Sequence, residues 1–226
     1  MTKQPLTHPE AVMKFNPIVL GIVTFALFLS HMAQAAKPSF NCARVSTSAE
    51  KAICADDDLA ALDRETSRLY KLASTDKSAD PAARKNLKAV QRGWIKGRND
   101  CWKESDLNAC ITASYVMRIY ELRADFPATH RNSGASTSTG PFLMHCPGVD
   151  DAIPTAFVQV GAGYAYAALP GRKLVLTQVV AASGAHYQHN TGEGLFSLWN
   201  KGPDVLLQQP GQPDAQCTID NSDQGS

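Results

Sequence analysis

The chain has 226 residues, with 22 Lys and Arg against 21 Asp and Glu, a formal net charge of +1 and 44% hydrophobic residues. That length is more than one small domain needs and less than two large ones use, so two modest domains fit. The near-neutral total hides an uneven spread: residues 37–131 hold 17 Lys and Arg against 13 Asp and Glu, and residues 141–226 hold 3 against 7. The acidic C-terminal half calls for a basic partner. The basic half carries its charges on helical faces without a stripe of interleaved aromatics, which argues against nucleic acid.

At the N-terminus, Lys14 precedes an apolar run over 18–29, and Ala33-Gln34-Ala35 offers the small residues that a signal peptidase reads. Residues 1–35 are therefore expected to be an export signal, with the mature chain starting near Ala36. Thr2 to Val12 are polar and unlike a signal n-region, which points to Met13 as the true start. An apolar run of a dozen residues falls short of the roughly 20 that a membrane span needs. No Cys sits at the cleavage point for lipid attachment, so no stable membrane anchor is expected after cleavage. The expected address is periplasmic or secreted.

Residues 36–127 read as an all-α domain. Leu59, Leu62, Leu69 and Leu72 fall on one helical stripe introduced by Asp56, Asp57 and Asp58, whose carboxylates suit a helix N-terminus. Asp80 and Pro81 start a second helix with Leu87, Val90, Trp94 and Ile95 as its apolar side. A last helix carries Ile111, Tyr115, Ile119, Leu122 and Phe126 at spacings of three and four. Residues 128–140, rich in Ser, Thr and Gly, read as a flexible linker.

From 141 onward the pattern changes to short alternating runs at 142–146, 155–160, 164–169, 173–178, 186–188, 195–200, 205–208 and 216–219. Gly- and Pro-rich turns separate them, and about eight short strands at this spacing predict a small antiparallel all-β barrel. All six cysteines, Cys42, Cys54, Cys101, Cys110, Cys146 and Cys217, lie beyond the signal. An even count in an exported chain reads as a disulfide framework rather than a zinc site, since no Cys-x-x-Cys pair occurs. A bond between Cys146 and Cys217 would tie the first strand to the last. The first four cysteines allow three connectivities, and spacing does not choose among them.

Ala182-Ser183-Gly184-Ala185-His186-Tyr187 and Leu198-Trp199-Asn200-Lys201-Gly202 then stand out. A Ser-Gly turn and the end of a Trp-x-Lys-Gly strand project a hydroxyl and an ammonium from one rim, a plug for an acidic cleft. Ser183, His186 or His189 and Asp204 compose a hydrolase triad on paper, but Ser183 lacks a Gly-x-Ser-x-Gly elbow. A metal-binding envelope module using His145, His186 and His189 is the third reading. No metal, cofactor or catalytic residue is expected under the first.

The helical half resembles the N-terminal domain of the LprI family of lysozyme inhibitors. The likeness rests on Ser39-Phe40-Asn41-Cys42, Glu50-Lys51-Ala52-Ile53-Cys54, Leu59-Ala60-Ala61-Leu62-Asp63, Gln91-Arg92-Gly93-Trp94, Arg98-Asn99-Asp100-Cys101 and Cys110 with Tyr115, Arg118, Ile119 and Leu122. The barrel half resembles the MliC/PliC inhibitors of c-type lysozyme through Phe142, Cys146, the Ser183 loop, Phe196, the Trp199-Asn200-Lys201-Gly202 strand end and Cys217. That resemblance implies a c-type lysozyme as partner. Ser183 and Lys201 would meet its catalytic carboxylates, Gly184, Ala185 and His186 would complete the contact, and Tyr187 would either join that contact or buttress the Ser183 loop. Two departures from the family pattern are His186 in place of Arg or Lys before Tyr187, and a longer segment between Tyr187 and Phe196.

Overall fold

The structure, a computed structural model, describes residues 37–130 and 136–220; the expected export signal at 1–35 lies outside them. Four helices begin on side chains that satisfy the free amides of a first turn. Thr47 and Glu50 form a reciprocal capping box at α1 (Ser48–Ala55), and Asp56 accepts from the amides of Asp58 and Leu59 at 2.9 Å to start α2 (Asp57–Thr75). Asp80 caps α3 (Pro81–Asn99) and Asp106 caps α4 (Leu107–Asp125). Each such cap contributes about 1 kcal/mol. Periodicity does not announce α1: only Ala49 and Ile53 of its residues are buried, too few to register as a stripe. None of the described helices is long and apolar enough to cross a membrane.

The stripe expected on α3 is only partly realised. Leu87 is buried, but Val90 and Ile95 are 48% and 38% exposed, and Arg98 takes the buried face instead. Arg98 Nη1 donates to the Tyr115 hydroxyl at 2.7 Å, which donates to Asp63 Oδ1 at 2.9 Å. A charge pair bridged by a phenol is satisfied on both sides and so tolerates burial. Burial and the neighbouring Asp63 charge push the Tyr115 pKa up. The disulfides are Cys42–Cys54, Cys101–Cys110 and Cys146–Cys217, which resolves the connectivity that spacing left open.

Eight strands follow: β1 (Ser138–His145), β2 (Ile153–Val158), β3 (Tyr164–Leu169), β4 (Arg172–Val179), β5 (Ala185–Thr191), β6 (Gly194–Lys201), β7 (Asp204–Gln208) and β8 (Ala215–Asp220). Each pairs antiparallel with the next, and β8 returns to β1 to close the barrel. Met144, Ala165, Ala167, Leu176, Tyr187, Leu198, Val205 and Leu207 fill the interior. The Cys146–Cys217 bond spans 71 residues, a loop whose closure contributes about 4 kcal/mol in the chain-entropy picture.

The outer faces of β2 and β3 are apolar as well, because the helices pack on them. Ala156, Val158, Val160 and Tyr166 join Leu59, Leu69, Ile119 and Leu122 in one core. Tyr166 stacks on Tyr120 of α4 with ring centroids 4.1 Å apart. A polar clamp adds direction: the fully buried Arg123 donates from Nε to the Gly140 carbonyl and from Nη1 to the Thr129 carbonyl at 3.0 Å. Ser138 donates to Glu65, which Arg68 holds at 2.7 Å. Within the segment read as a linker, Pro127–His130 form a 3-10 turn, 138–140 open β1, and 131–135 lie outside the described residues.

Candidate functional site: the rim formed by the turn after β4 and the end of β6

The turn at 180–184 leads from β4 into β5, and β5 pairs with β6 so that Ala185 faces Asn200 and His186 faces Trp199. Register alone therefore brings the Ser183 turn to the end of the strand that carries Lys201. Gly184 makes the approach closer than any other residue allows. Its φ is +68°, and a Cβ there would lie 2.4 Å from the Asn200 carbonyl oxygen and 2.7 Å from Lys201 Cγ. The turn is thus seated on the Lys201 side-chain stem.

Trp199 fixes both partners. Its Nε1–H donates to the Ser183 carbonyl at 2.8 Å, and the Lys201 ammonium sits 4.4 Å from the centre of its ring. An ammonium at that distance is attracted by the ring quadrupole, on the order of 0.5–1 kcal/mol at an exposed site. His186 stacks on the same ring at 5.5 Å. Below, Asn200 Nδ2 donates to the Gly202 carbonyl at 2.8 Å and pins the turn after Lys201. The Ser183 and Lys201 side chains are exposed. Among the described residues, no carboxylate lies within ion-pair distance of Lys201. The rim thus offers a cation without a carboxylate partner among the described residues, next to the turn that carries the exposed Ser183.

The remaining candidates divide by face. Gly184 is exposed and Ala185 half-buried. Tyr187 is 1% exposed, inside the barrel, where its hydroxyl accepts from Gln159 Nε2 at 3.3 Å and its ring lies 5.5 Å from Phe157. Burial pushes its pKa up. Its place is behind β5, holding that strand, and not on the rim. His186 is on the outer face, with Nε2 at 2.7 Å from Ser197 Oγ. That bond turns its ring toward Ser197 and Trp199 and leaves no Ser183–His186 pair of the kind a nucleophile needs. Asp204 lies opposite Lys201 in the β6–β7 register. Among the described residues no group of three or more His, Cys, Asp or Glu side chains is placed to hold a metal ion.

Two residues escape the sequence reading, one of them only in its role. Trp199 stands in the motif that the sequence singles out, where alternation with Leu198 reads it as barrel wall; its bond to the Ser183 carbonyl and its ring beside the Lys201 ammonium are visible only in the structure. Val180 is fully exposed in the same turn as Ser183; a lone exposed Val has no signal in periodicity.

Residues 41–124 match the family model described as lysozyme inhibitor LprI, and residues 145–216 match the model described as membrane-bound lysozyme-inhibitor of c-type lysozyme, MliC. No curated protein and no solved structure matches the chain. The chain therefore joins a helical segment similar to LprI to a barrel similar to MliC, and the rim with Ser183, Trp199 and Lys201 lies within the MliC match.

Proposed function

We propose that this chain is an exported inhibitor of c-type lysozyme that acts by occupation of the catalytic cleft and performs no chemistry itself. The observation that supports this reading is the close approach of Gly184 to the Lys201 stem, which brings the turn that carries Ser183 against the strand end that carries Lys201. A glycosidase of this type uses one protonated and one ionised carboxyl flanking the scissile bond. A hydroxyl both donates and accepts, and an ammonium only donates, so the pair matches one acid in each protonation state. Lys201 needs an unpaired charge for this role, and among the described residues no carboxylate lies within ion-pair distance of it. The acidic balance of residues 141–226 suits encounter with a basic enzyme, while Lys201 meets the negative charge inside the cleft.

The test is a titration of the chain from Lys37 to Ser226, which carries both cores and all three disulfides, against a c-type and a g-type lysozyme in a cell-wall clearing assay. Stoichiometric, reversible inhibition of the c-type enzyme is expected. Lys201→Ala is expected to weaken it by about 2–5 kcal/mol, as truncating one partner of a desolvated charge pair does, and Ser183→Ala by about 1–2 kcal/mol. Full inhibition by the Lys201→Ala protein would remove the cleft contact from consideration.

A further inference from the structure

The solvent face of α3 has no role at the rim. From Pro81 to Asn99 the helix contains no Asp or Glu. Lys85, Lys88, Arg92 and Lys96, spaced by three, four and four, lie along one side opposite the buried Leu87 and Arg98. They form a stripe about 16 Å long at 1.5 Å per residue. All four are exposed, and among the described residues none is within ion-pair distance of a carboxylate. Four like charges on one face repel one another at spacings of three and four, so the fold gains nothing from the arrangement.

The stripe runs into a groove of about 550 Å³ between the start of α1 and the end of α3, where Thr47, Ser48, Arg92, Lys96, Asn99 and Trp102 are joined by Asp100, whose carboxylate is ion-paired with Lys103 at 3.2 Å. Trp102 is 61% exposed, the largest side chain among the exposed hydrophobics. Its backbone is anchored in the 3-10 turn Asp100–Lys103, next to the buried Cys101 that is bonded to Cys110, and the Lys103 ammonium lies 5.6 Å from the centre of its ring. An exposed indole on an anchored turn, beside hydroxyls, an amide and two cations without a carboxylate partner among the described residues, has the chemistry of sugar recognition. The ring takes the apolar face of a pyranose, Thr47, Ser48 and Asn99 take its hydroxyls, and Arg92 and Lys96 take acidic substituents.

We propose that this groove, continued by the α3 stripe, binds an acidic glycan strand. A nucleic acid fits poorly, since one ring gives no row of stacking platforms. A bilayer fits poorly too, since Trp102 and Ile95 are the exposed apolar side chains that line the groove and its other lining groups are polar or charged. A basic lysozyme is repelled by this face, so glycan and enzyme are met at separate places. The site does not depend on the rim or on lysozyme inhibition.

The experiment is co-sedimentation of the chain from Lys37 to Ser226 with insoluble peptidoglycan. The same material with its carboxyls amidated, and vesicles of anionic phospholipid, serve as comparison probes. Trp102→Ala and the triple variant Lys88→Gln, Arg92→Gln, Lys96→Gln alter only exposed side chains and are expected to keep the parent's melting temperature and lysozyme titration. Each is expected to raise the half-saturating peptidoglycan concentration about 10-fold or more, as are amidation of the probe and about 0.5 M salt. The proposal is overturned by equal binding of parent and variants, by equal binding to amidated peptidoglycan, or by tighter capture on vesicles that the same substitutions abolish. Loss through the triple variant with no effect of Trp102→Ala would also overturn it, since that is ion exchange without a site.

Discussion

Gly184→Ala tests the rim without deleting either functional group. At φ +68° an alanine pays roughly 1–2 kcal/mol for the left-handed conformation. Its Cβ would also lie 2.4 Å from the Asn200 carbonyl oxygen, a backbone atom, and 2.7 Å from Lys201 Cγ. The turn must retreat by at least about 0.6 Å to restore a 3.0 Å contact with that oxygen, which separates Ser183 from Lys201. Gly211→Ala supplies the control, since Gly211 has φ +70° and no atom within 4 Å of an added Cβ. Both variants should lose about 1–2 kcal/mol of stability from the backbone term alone. Gly184→Ala should lose about 1 kcal/mol more and inhibit a c-type lysozyme about 10-fold or more less tightly, whereas Gly211→Ala should inhibit as the parent does. Thermal unfolding and the clearing assay read the two effects separately. If Gly184→Ala matches Gly211→Ala in both, the seating of the turn on Lys201 has no functional weight.

Trp199→Phe keeps a ring under Lys201 but removes the donor to the Ser183 carbonyl; a loss of about 1 kcal/mol in inhibition is expected, read by the same titration. Cys146→Ser with Cys217→Ser should cost about 4 kcal/mol of stability in the chain-entropy picture, measured by denaturant unfolding, because the bond closes a 71-residue span. Asp76 gives an acid-range test. Its burial works to raise the carboxyl pKa, but hydrogen bonds from the Ser78 hydroxyl and from the amides of Ala128, Ser78 and Ala79 outweigh it and leave the value below its ordinary 3.8. A lowered folded pKa means stability that is complete above the unfolded value and fades as pH falls through the folded one. Asp76→Asn should therefore be less stable than the parent near neutrality and show a flatter decline in melting temperature below about pH 4. The segment 141–226 expressed alone bares Ala156, Val158, Val160 and Tyr166, and light scattering should show it aggregating while the chain from Lys37 stays monodisperse.

The barrel strands are legible because Gly and Pro punctuate runs whose inner residues alternate, and helix starts are legible because Asp before an apolar stripe has a local physical meaning. Long-range facts are less so. Spacing contains no distances, so Cys42–Cys54 and Cys101–Cys110 could not be told from the other pairings. The shared core is hidden for a similar reason: Tyr166 and Val158 are apolar residues on an outward face, and nothing local says that α4 covers them. On α3 the stripe count favours Val90 and Ile95 as core, yet Arg98 wins the interior because Tyr115 and Asp63, distant in sequence, satisfy it. At the rim, Ser183 and Lys201 are visible as residue types near Gly, but the role of Trp199 depends on register, and Tyr187 moves indoors by the same alternation that puts His186 outside.

Barrel topology also gives the helical segment a part in the rim. In a closed barrel of successive hairpins the turns alternate between the two ends, so the β2–β3, β4–β5 and β6–β7 turns share one end. The first of these contains Gly161, where an added Cβ would lie against the Asp58 carboxylate. The N-terminus of α2, with Asp56, Asp57 and Asp58, is therefore held at the same end as Ser183 and Lys201. Carboxylates near this end add to the acidic balance of the barrel and would strengthen the field that a basic enzyme meets on approach. Steering of this kind acts on the association rate and is screened over about 10 Å at 0.1 M salt. The proposed contact would rest on groups desolvated in the cleft and would be screened much less. Stopped-flow association with a c-type lysozyme should accordingly slow steeply as salt rises while dissociation changes little. A dissociation rate that carried most of the salt dependence would place the decisive charges inside the contact instead of around it.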